Sequence, residues 1–207
     1  MNRARLAHLT PLIEAGLARW AVPLVIAACC LALGLGGEGA RIWGRYHREA
    51  VEAGEVWRLL TGHLVHLGWG HLWLNLSALF LIGLLFEDLL SPWEWLGTTI
   101  AAALAIDLGL YLWDQHVVWY VGLSGLLHAV VAAGTVRLLS ERATIGTLLA
   151  LGLVVKLAWE QASGPIPFSE ASSGGPVVVA AHLYGTVAGL GVAAVPAMVR
   201  RRRALAS

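Results

Sequence analysis

Two polar residues on well-separated apolar stretches have the chemistry of a nucleophile and its base. Ser124 lies in the string Gly122-Leu123-Ser124-Gly125, and His182 lies between Ala181 and Gly185, each about two turns into an apparent membrane span. Polar ionisable groups inside a bilayer are costly and are functional candidates by default. A serine hydroxyl is a weak nucleophile until a base removes its proton. The pair therefore predicts a serine protease that works inside a membrane.

A second pair of polar residues has the spacing of hydrogen-bond donors on one helix face. His71 and Asn75 are four residues apart, so their side chains share a face. Acyl transfer needs donors aimed at the developing oxyanion, and the backbone N–H of Ser124 is a third candidate donor. The alternative is that both residues only bridge neighbouring helices, which is a common use of polar residues in spans. Beside Ser124 and His182, we prefer the oxyanion role.

Two further polar residues have rival interpretations. His128 lies four residues after Ser124, on the same helix face, and is the alternative base. It would lie deeper than the serine, so we prefer His182. Asp107 is an acid inside an apolar stretch; it would either orient a histidine or, as we prefer, form a structural hydrogen bond to a neighbouring helix.

The remaining candidate ligands do not form a metal-binding pattern. His63, His66 and His71 match no standard ligand spacing and have no obvious carboxylate or cysteine partner. Cys29 and Cys30 are adjacent inside an apolar run, so we interpret them as small apolar residues rather than a disulfide or a metal site. We expect neither a metal nor another cofactor.

The composition is that of a membrane protein. The chain is 58% hydrophobic and 13% charged, whereas a soluble domain has about 25% charged residues. A net charge of +1 without a basic patch predicts no nucleic-acid partner. Stretches of about 20 apolar residues can cross a membrane, and we predict one all-α domain over residues 1–207 with six spans, at 17–36, 69–88, 93–112, 117–138, 143–161 and 176–198. The first run has no convincing cleavage site, so we expect it to be retained.

The positive charges predict how the chain crosses the membrane. Six spans put both termini on one side, with Arg137, Arg142 and the run of four arginines at 200–203. The arginines on the other side are offset by glutamates, so the termini are expected to be cytoplasmic. His71, Asn75, Ser124 and His182 then lie near the starts of spans two, four and six, within roughly 10 Å of the outer surface at 1.5 Å per residue.

Small residues provide for close approach of spans four and six. Gly185 and Gly189 form a G-x-x-x-G stripe, and we assign a packing role to Gly122 and Gly125 as well. Small residues let helix backbones approach each other in membranes. The segment from Ser163 to Pro176 is rich in Gly, Pro and Ser, so it is expected to be a mobile loop that caps the site. Lys156 is expected to reach outward from the end of span five.

At these positions the chain resembles the rhomboid intramembrane serine proteases. The resemblance is carried by Trp57-Arg58, by the string from His71 to Asn75, by Gly122 to Gly125 and by Ala181 to Gly189, in this order on alternate spans. It implies a six-helix rhomboid-like bundle and a serine–histidine dyad without an acid. Ser124 would be the nucleophile and His182 the base, with His71, Asn75 and the Ser124 N–H as the oxyanion hole.

Within that family the chain is most similar to the rhombosortases, through the strings from Trp57 to His66 and from Gly122 to His128. This resemblance implies a multi-pass protein of the bacterial inner membrane whose site opens toward the periplasm. Its partners would be membrane lipid and exported proteins with a C-terminal tail made of a Gly-Gly-type motif, an apolar helix and a basic end. An inactive relative that binds membrane helices is the alternative. A transporter is disfavoured, because the polar residues lie toward one surface rather than at the midplane.

Overall fold

The computed structural model describes residues 3–206, and the side chains of residues 18–195. This part of the chain forms α1 (Arg3–Leu35), α2 (Gly37–Gly44), β1 (Tyr46–His47), α3 (Arg48–Glu52), α4 (Arg58–Thr61), α5 (Trp69–Phe86), α6 (Pro92–Leu112), β2 (Trp119–Tyr120), α7 (Ser124–Glu141), α8 (Ala143–Ser163), α9 (Ser169–Ser173) and α10 (Val179–Ala206). The predicted fold class, a helical membrane bundle, is confirmed, and the protein is an integral membrane protein.

Length and composition single out four helices of the described chain as able to cross a membrane. They are Ala18–Leu35 within α1, then α5, α6 and α8, and α10 adds a shorter apolar stretch at Val179–Val195. The helix α7 is less apolar, and its position accounts for this. It packs on α5, α6, α8 and α10, so most of its surface faces protein rather than lipid and does not have to be apolar.

Small residues on α7 and α10 allow these two helices to pack most closely. A Cβ atom built on Gly185 would overlap the carbonyl oxygen of Gly125, and one built on Gly189 would overlap that of Ala129. Gly125 faces the Ala181 carbonyl in the same interface, where an added Cβ would lie 3.0 Å from that oxygen. Gly125, Gly185 and Gly189 therefore have the packing role that sequence analysis assigned to them.

The predicted start of span four is wrong. The apolar residues 117–123 precede the helix, and within them β2 pairs with β1 in antiparallel register, Tyr46 opposite Tyr120. Gly122 has a φ of +119°, which only glycine adopts easily, and it ends the extended segment just before α7. Short apolar runs are equally compatible with strand and helix. Ser124 is thus the first residue of α7, and His182 lies in the first turn of α10, rather than two turns inside.

Arg58 holds the segment between α1 and α5 together, and Arg48 fastens this segment to α6. Arg58 is buried and donates to the carbonyls of Ile42 (2.8 Å) and Arg45 (2.9 Å). Arg48 donates to the carbonyls of Leu110 (2.6 Å) and Tyr111 (3.0 Å) at the end of α6, where free carbonyls and the helix dipole favour a cation. These bonds hold the loop that leads into α5 and its polar residues.

Candidate active site

The hydroxyl of Ser124 and the imidazole of His182 meet where α7 and α10 begin. Ser124 Oγ lies 2.9 Å from His182 Nε2, which is within the distance that a nucleophile and its base require. His182 is 5% exposed, so it is shielded from bulk water. The glycine contacts between α7 and α10 bring the two side chains within this range.

The first turn of α7 presents free backbone donors at the same place. Ser124 is the first helical residue, and N–H groups in a first helical turn have no partner within the helix. The preceding loop is held firmly, because Tyr120 donates its hydroxyl to the Gly122 carbonyl (2.6 Å) and Gly122 N–H donates to the Gly62 carbonyl (3.0 Å). The positive end of the helix dipole also points at this turn.

Gly122 contacts the ring of His71 on α5 rather than a residue of α10. A Cβ atom at Gly122 would lie 2.7 Å from His71 Cε1, so a larger residue would displace the ring. Sequence analysis expected Gly122 to help spans four and six approach each other, whereas its contact is with α5. Its absent side chain leaves room for His71 beside the start of α7.

His71 and Asn75 line the same cavity as Ser124 and His182. The backbone N–H of Leu67 donates to His71 Nδ1 (3.4 Å), so the neutral ring carries its proton on Nε2, where it can be donated. Asn75 is buried and donates one amide N–H to the His71 carbonyl (3.0 Å). An amide nitrogen has two N–H groups, which leaves the second for another acceptor.

A neighbouring histidine supports the ring of His71. His66 packs edge-on against it, with 5.0 Å between ring centroids, and its Nδ1 hydrogen-bonds to the Leu64 carbonyl (3.1 Å). Burial lowers the pKa of His66 to about 3. It is therefore neutral near pH 7 and packs beside His71 without adding a charge.

A carboxylate that sequence analysis did not assign to the site contacts the other nitrogen of the base. Glu160 Oε2 lies 2.9 Å from His182 Nδ1, and Glu160 Oε1 lies 2.6 Å from Lys156 Nζ. Lys156 therefore turns toward the cavity instead of outward, contrary to expectation. One signal was available, because Lys156 and Glu160 form an i, i+4 ion pair inside a predicted span, and ionisable residues there are functional candidates.

The cavity that contains these residues opens between α5 and α8, two helices that are long and apolar enough to cross a membrane. It has a volume of about 490 Å³ and is lined on the α5 side by Leu74 and Ala78 and on the α8 side by Leu149 and Leu153. The helix α8 packs mainly on α7, so it leaves this side open. Ser169 and Ser173 of α9 lie over the cavity, in the segment that was predicted to cap the site.

Comparison with known families identifies the fold. The Rhomboid domain model matches residues 53–198. The chain belongs to the rhomboid family. The matched region contains all the residues described above around the cavity, and rhomboids are intramembrane serine proteases. A comparison with curated proteins found no match.

The rival base of this rhomboid is stacked on the preferred one. The rings of His128 and His182 lie 4.1 Å apart at 15°, and His128 Nδ1 donates to the Ser124 carbonyl (2.7 Å). The contact with the Ser124 carbonyl occupies Nδ1 of His128, and the serine hydroxyl contacts His182 instead. His128 instead supports one face of the His182 ring.

Ligand-type atoms of His128, Glu160 and His182 lie within 4.8 Å of one another, which raises the question of a metal site. A metal ion binds in the plane of an imidazole ring, along the nitrogen lone pair. Two nearly parallel stacked rings cannot both direct a lone pair at one ion about 2.0–2.1 Å away. The arrangement of this rhomboid fits stacked histidines, one of which is held by a carboxylate.

Asp107 lies away from His182. Its Oδ1 is 3.4 Å from Nε2 of His63, a fully buried residue of the loop that precedes α5. The neighbour of Asp107 is thus a loop histidine, so the structural hydrogen bond to a neighbouring helix that we preferred is not found for this oxygen among the described residues.

Proposed function

We propose that this rhomboid is an intramembrane serine endopeptidase with Ser124 as nucleophile and His182 as general base. The observation that carries the proposal is the 2.9 Å contact between Ser124 Oγ and His182 Nε2, at the end of a cavity that opens laterally to lipid. Family membership supports the reaction class. The N–H donors that share the cavity with the serine support acyl transfer, because this reaction needs donors aimed at the developing oxyanion.

The reaction would follow the order of serine protease chemistry. Ser124 Oγ attacks the scissile carbonyl carbon while His182 Nε2 takes the hydroxyl proton. His71 Nε2–H, the second Asn75 N–H and the Ser124 backbone N–H stabilise the negative oxygen. The C–N bond then breaks as His182 protonates the leaving amine. Water, deprotonated by His182, releases the acyl group and restores the serine.

The substrate would be a membrane-anchored segment that enters between α5 and α8. The apolar lining of the cavity mouth suits a helix taken from lipid. As the resemblance to rhombosortases implies, we propose C-terminal tails of exported proteins, with a Gly-Gly-type motif, an apolar helix and a basic end. We further propose a bacterial inner-membrane location with cytoplasmic termini and a site near the periplasmic surface, in line with the arginine distribution.

The first test is labelling of the purified protein in detergent with a fluorophosphonate, which reacts with activated serines. The parent should be labelled, and Ser124→Ala and His182→Ala should not. Ser140→Ala, on the same helix as Ser124 but at its far end, is the matched control and should be labelled like the parent. Absence of labelling in folded parent protein would instead indicate an inactive helix-binding rhomboid.

The substrate class needs a separate experiment in liposomes. A reporter with a Gly-Gly tail should be cleaved by the parent, and a reporter whose two glycines are replaced by leucine should be cleaved at least about 10-fold more slowly, a difference of about 1.4 kcal/mol in transition-state binding. Equal cleavage of both reporters would leave the protease assignment in place and reject the tail specificity.

A further inference from the structure

A buried carboxylate on α8 has both of its oxygens engaged inside the cavity. Glu160 is 3% exposed, with Oε2 at 2.9 Å from His182 Nδ1 and Oε1 at 2.6 Å from Lys156 Nζ. Burying a charge is costly unless it is paired and hydrogen-bonded. The position of this ion pair, at the catalytic histidine, calls for a role beyond packing.

We propose that Glu160 is a positioning residue that completes a Ser124–His182–Glu160 triad in this rhomboid. The inference rests on the proposed function, because it assigns a role in activating the same serine. It replaces the expectation of a dyad without an acid. In a triad, the acid holds the imidazole in one tautomer and orientation and stabilises the imidazolium as it forms.

The hydrogen bonds of His182 define a single productive tautomer. A carboxylate is an acceptor only, so Nδ1 must carry the proton in the 2.9 Å contact with Glu160. Nε2 then has its lone pair free to accept the Ser124 hydroxyl proton. The stacked ring of His128 restricts tilting of the imidazole, but stacking does not select between tautomers. The carboxylate supplies that selection.

Lys156 stabilises the carboxylate and cannot replace it. Its ammonium group donates only and has no acceptor, so it cannot take the Nδ1–H bond, and it lies farther from His182 Nδ1, at 3.5 Å. Its position four residues before Glu160 puts both side chains on one face of α8. The pair thereby keeps a negative group buried next to the base while balancing its charge.

The rival explanation is that the contact only ties α8 to α10. A structural tie would lower stability when broken and would reduce labelling only in proportion to the folded fraction. A positioning role predicts slower chemistry in fully folded protein. The maximal rate of serine labelling separates the two, because it is measured at saturating probe.

The experiment measures the saturation kinetics of fluorophosphonate labelling with full-length protein in detergent, alongside thermal unfolding. Glu160→Gln should lower the maximal labelling rate about 10²- to 10⁴-fold, as loss of the acid's charge does in a soluble triad, and leave the half-saturating probe concentration unchanged. Glu160→Asp keeps the charge and should recover part of the rate. Glu141→Gln, an exposed position at the end of α7, is the matched control and should match the parent.

A second variant keeps the test decisive if Glu160→Gln leaves Lys156 unpaired and unfolds. Lys156→Met with Glu160→Gln removes both charges and should fold yet label as slowly as the single variant. Parent-like maximal rates in either folded variant would overturn the triad and leave the Ser124–His182 assignment intact. No labelling of the parent would overturn the proposed function, and the triad with it.

Discussion

Two histidine–carboxylate pairs lie inside this rhomboid, and they differ in what surrounds them. His182 and Glu160 are 2.9 Å apart, line the lateral cavity and lie next to Ser124 and Lys156. His63 and Asp107 are 3.4 Å apart, and His63 is fully buried. The edge of the His63 ring meets Tyr120, with centroids 5.4 Å apart. One pair adjoins the Ser124 hydroxyl and the cavity, and the other is enclosed by protein.

The difference shows why an acid beside a histidine does not identify a catalytic site. The environment decides, because a base must reach both the nucleophile and the substrate. The contact between His63 and Asp107 instead lies between the loop before α5 and α6, where it supports the loop that carries His66 and leads to His71. The comparison therefore predicts that one pair governs rate and the other governs stability.

The largest effect is expected at His182. His182→Ala removes the proposed base and should lower serine labelling by at least about 10³-fold, with an unfolding temperature in detergent close to that of the parent. Fluorophosphonate labelling and thermal unfolding measure the two quantities. Loss of labelling in His128→Ala with retention in His182→Ala would make His128 the base and reverse the assignment.

A smaller loss of rate is expected at Asn75, which shares the cavity. Asn75→Ala removes one proposed oxyanion donor and should lower kcat for a tailed reporter about 10²- to 10³-fold, with KM little changed. Ser77→Ala, at an exposed position on the same helix, is the control and should be neutral. A rise in KM alone would mean that Asn75 binds substrate without stabilising the oxyanion.

The interface between α7 and α10, which aligns Ser124 with His182, should be sensitive to one added methyl group. Gly189→Ala places a Cβ against the Ala129 carbonyl, so it should cost about 1–3 kcal/mol of unfolding free energy and slow labelling as α10 moves from α7. Gly191→Ala, on the same helix with no atom near an added Cβ, should change neither. The test measures the unfolding free energy of each variant in denaturing detergent and the labelling rate of its folded form. Equal values for Gly189→Ala and Gly191→Ala would contradict the close packing.

The smallest effect is expected at the enclosed pair. Asp107→Asn keeps the volume of the side chain but weakens its contact with His63, so it should lower the free energy of unfolding by about 1 kcal/mol. Labelling of the folded protein should equal that of the parent. This is the same kind of substitution as Glu160→Gln, so a matching loss of labelling in both variants would remove the distinction between the two pairs.

The amino-acid sequence by itself determined the membrane class and identified the polar residues that line one cavity of the structure. Apolar length and residue spacing along a helix are local properties, so Ser124, His182, His71 and Asn75 could be placed at a common depth before any contact was known.

Only the tertiary structure decided which acid meets which histidine. In the sequence, Glu160 and Asp107 are both acidic residues within apolar stretches. Packing sets the rotation of α8 and α6 about their axes, and this rotation determines where each side chain points. The start of α7 at Ser124 was also a tertiary outcome, because pairing of β2 with β1 and the backbone of Gly122 hold an apolar segment extended. Long-range pairing of this kind has no signal in local hydrophobicity.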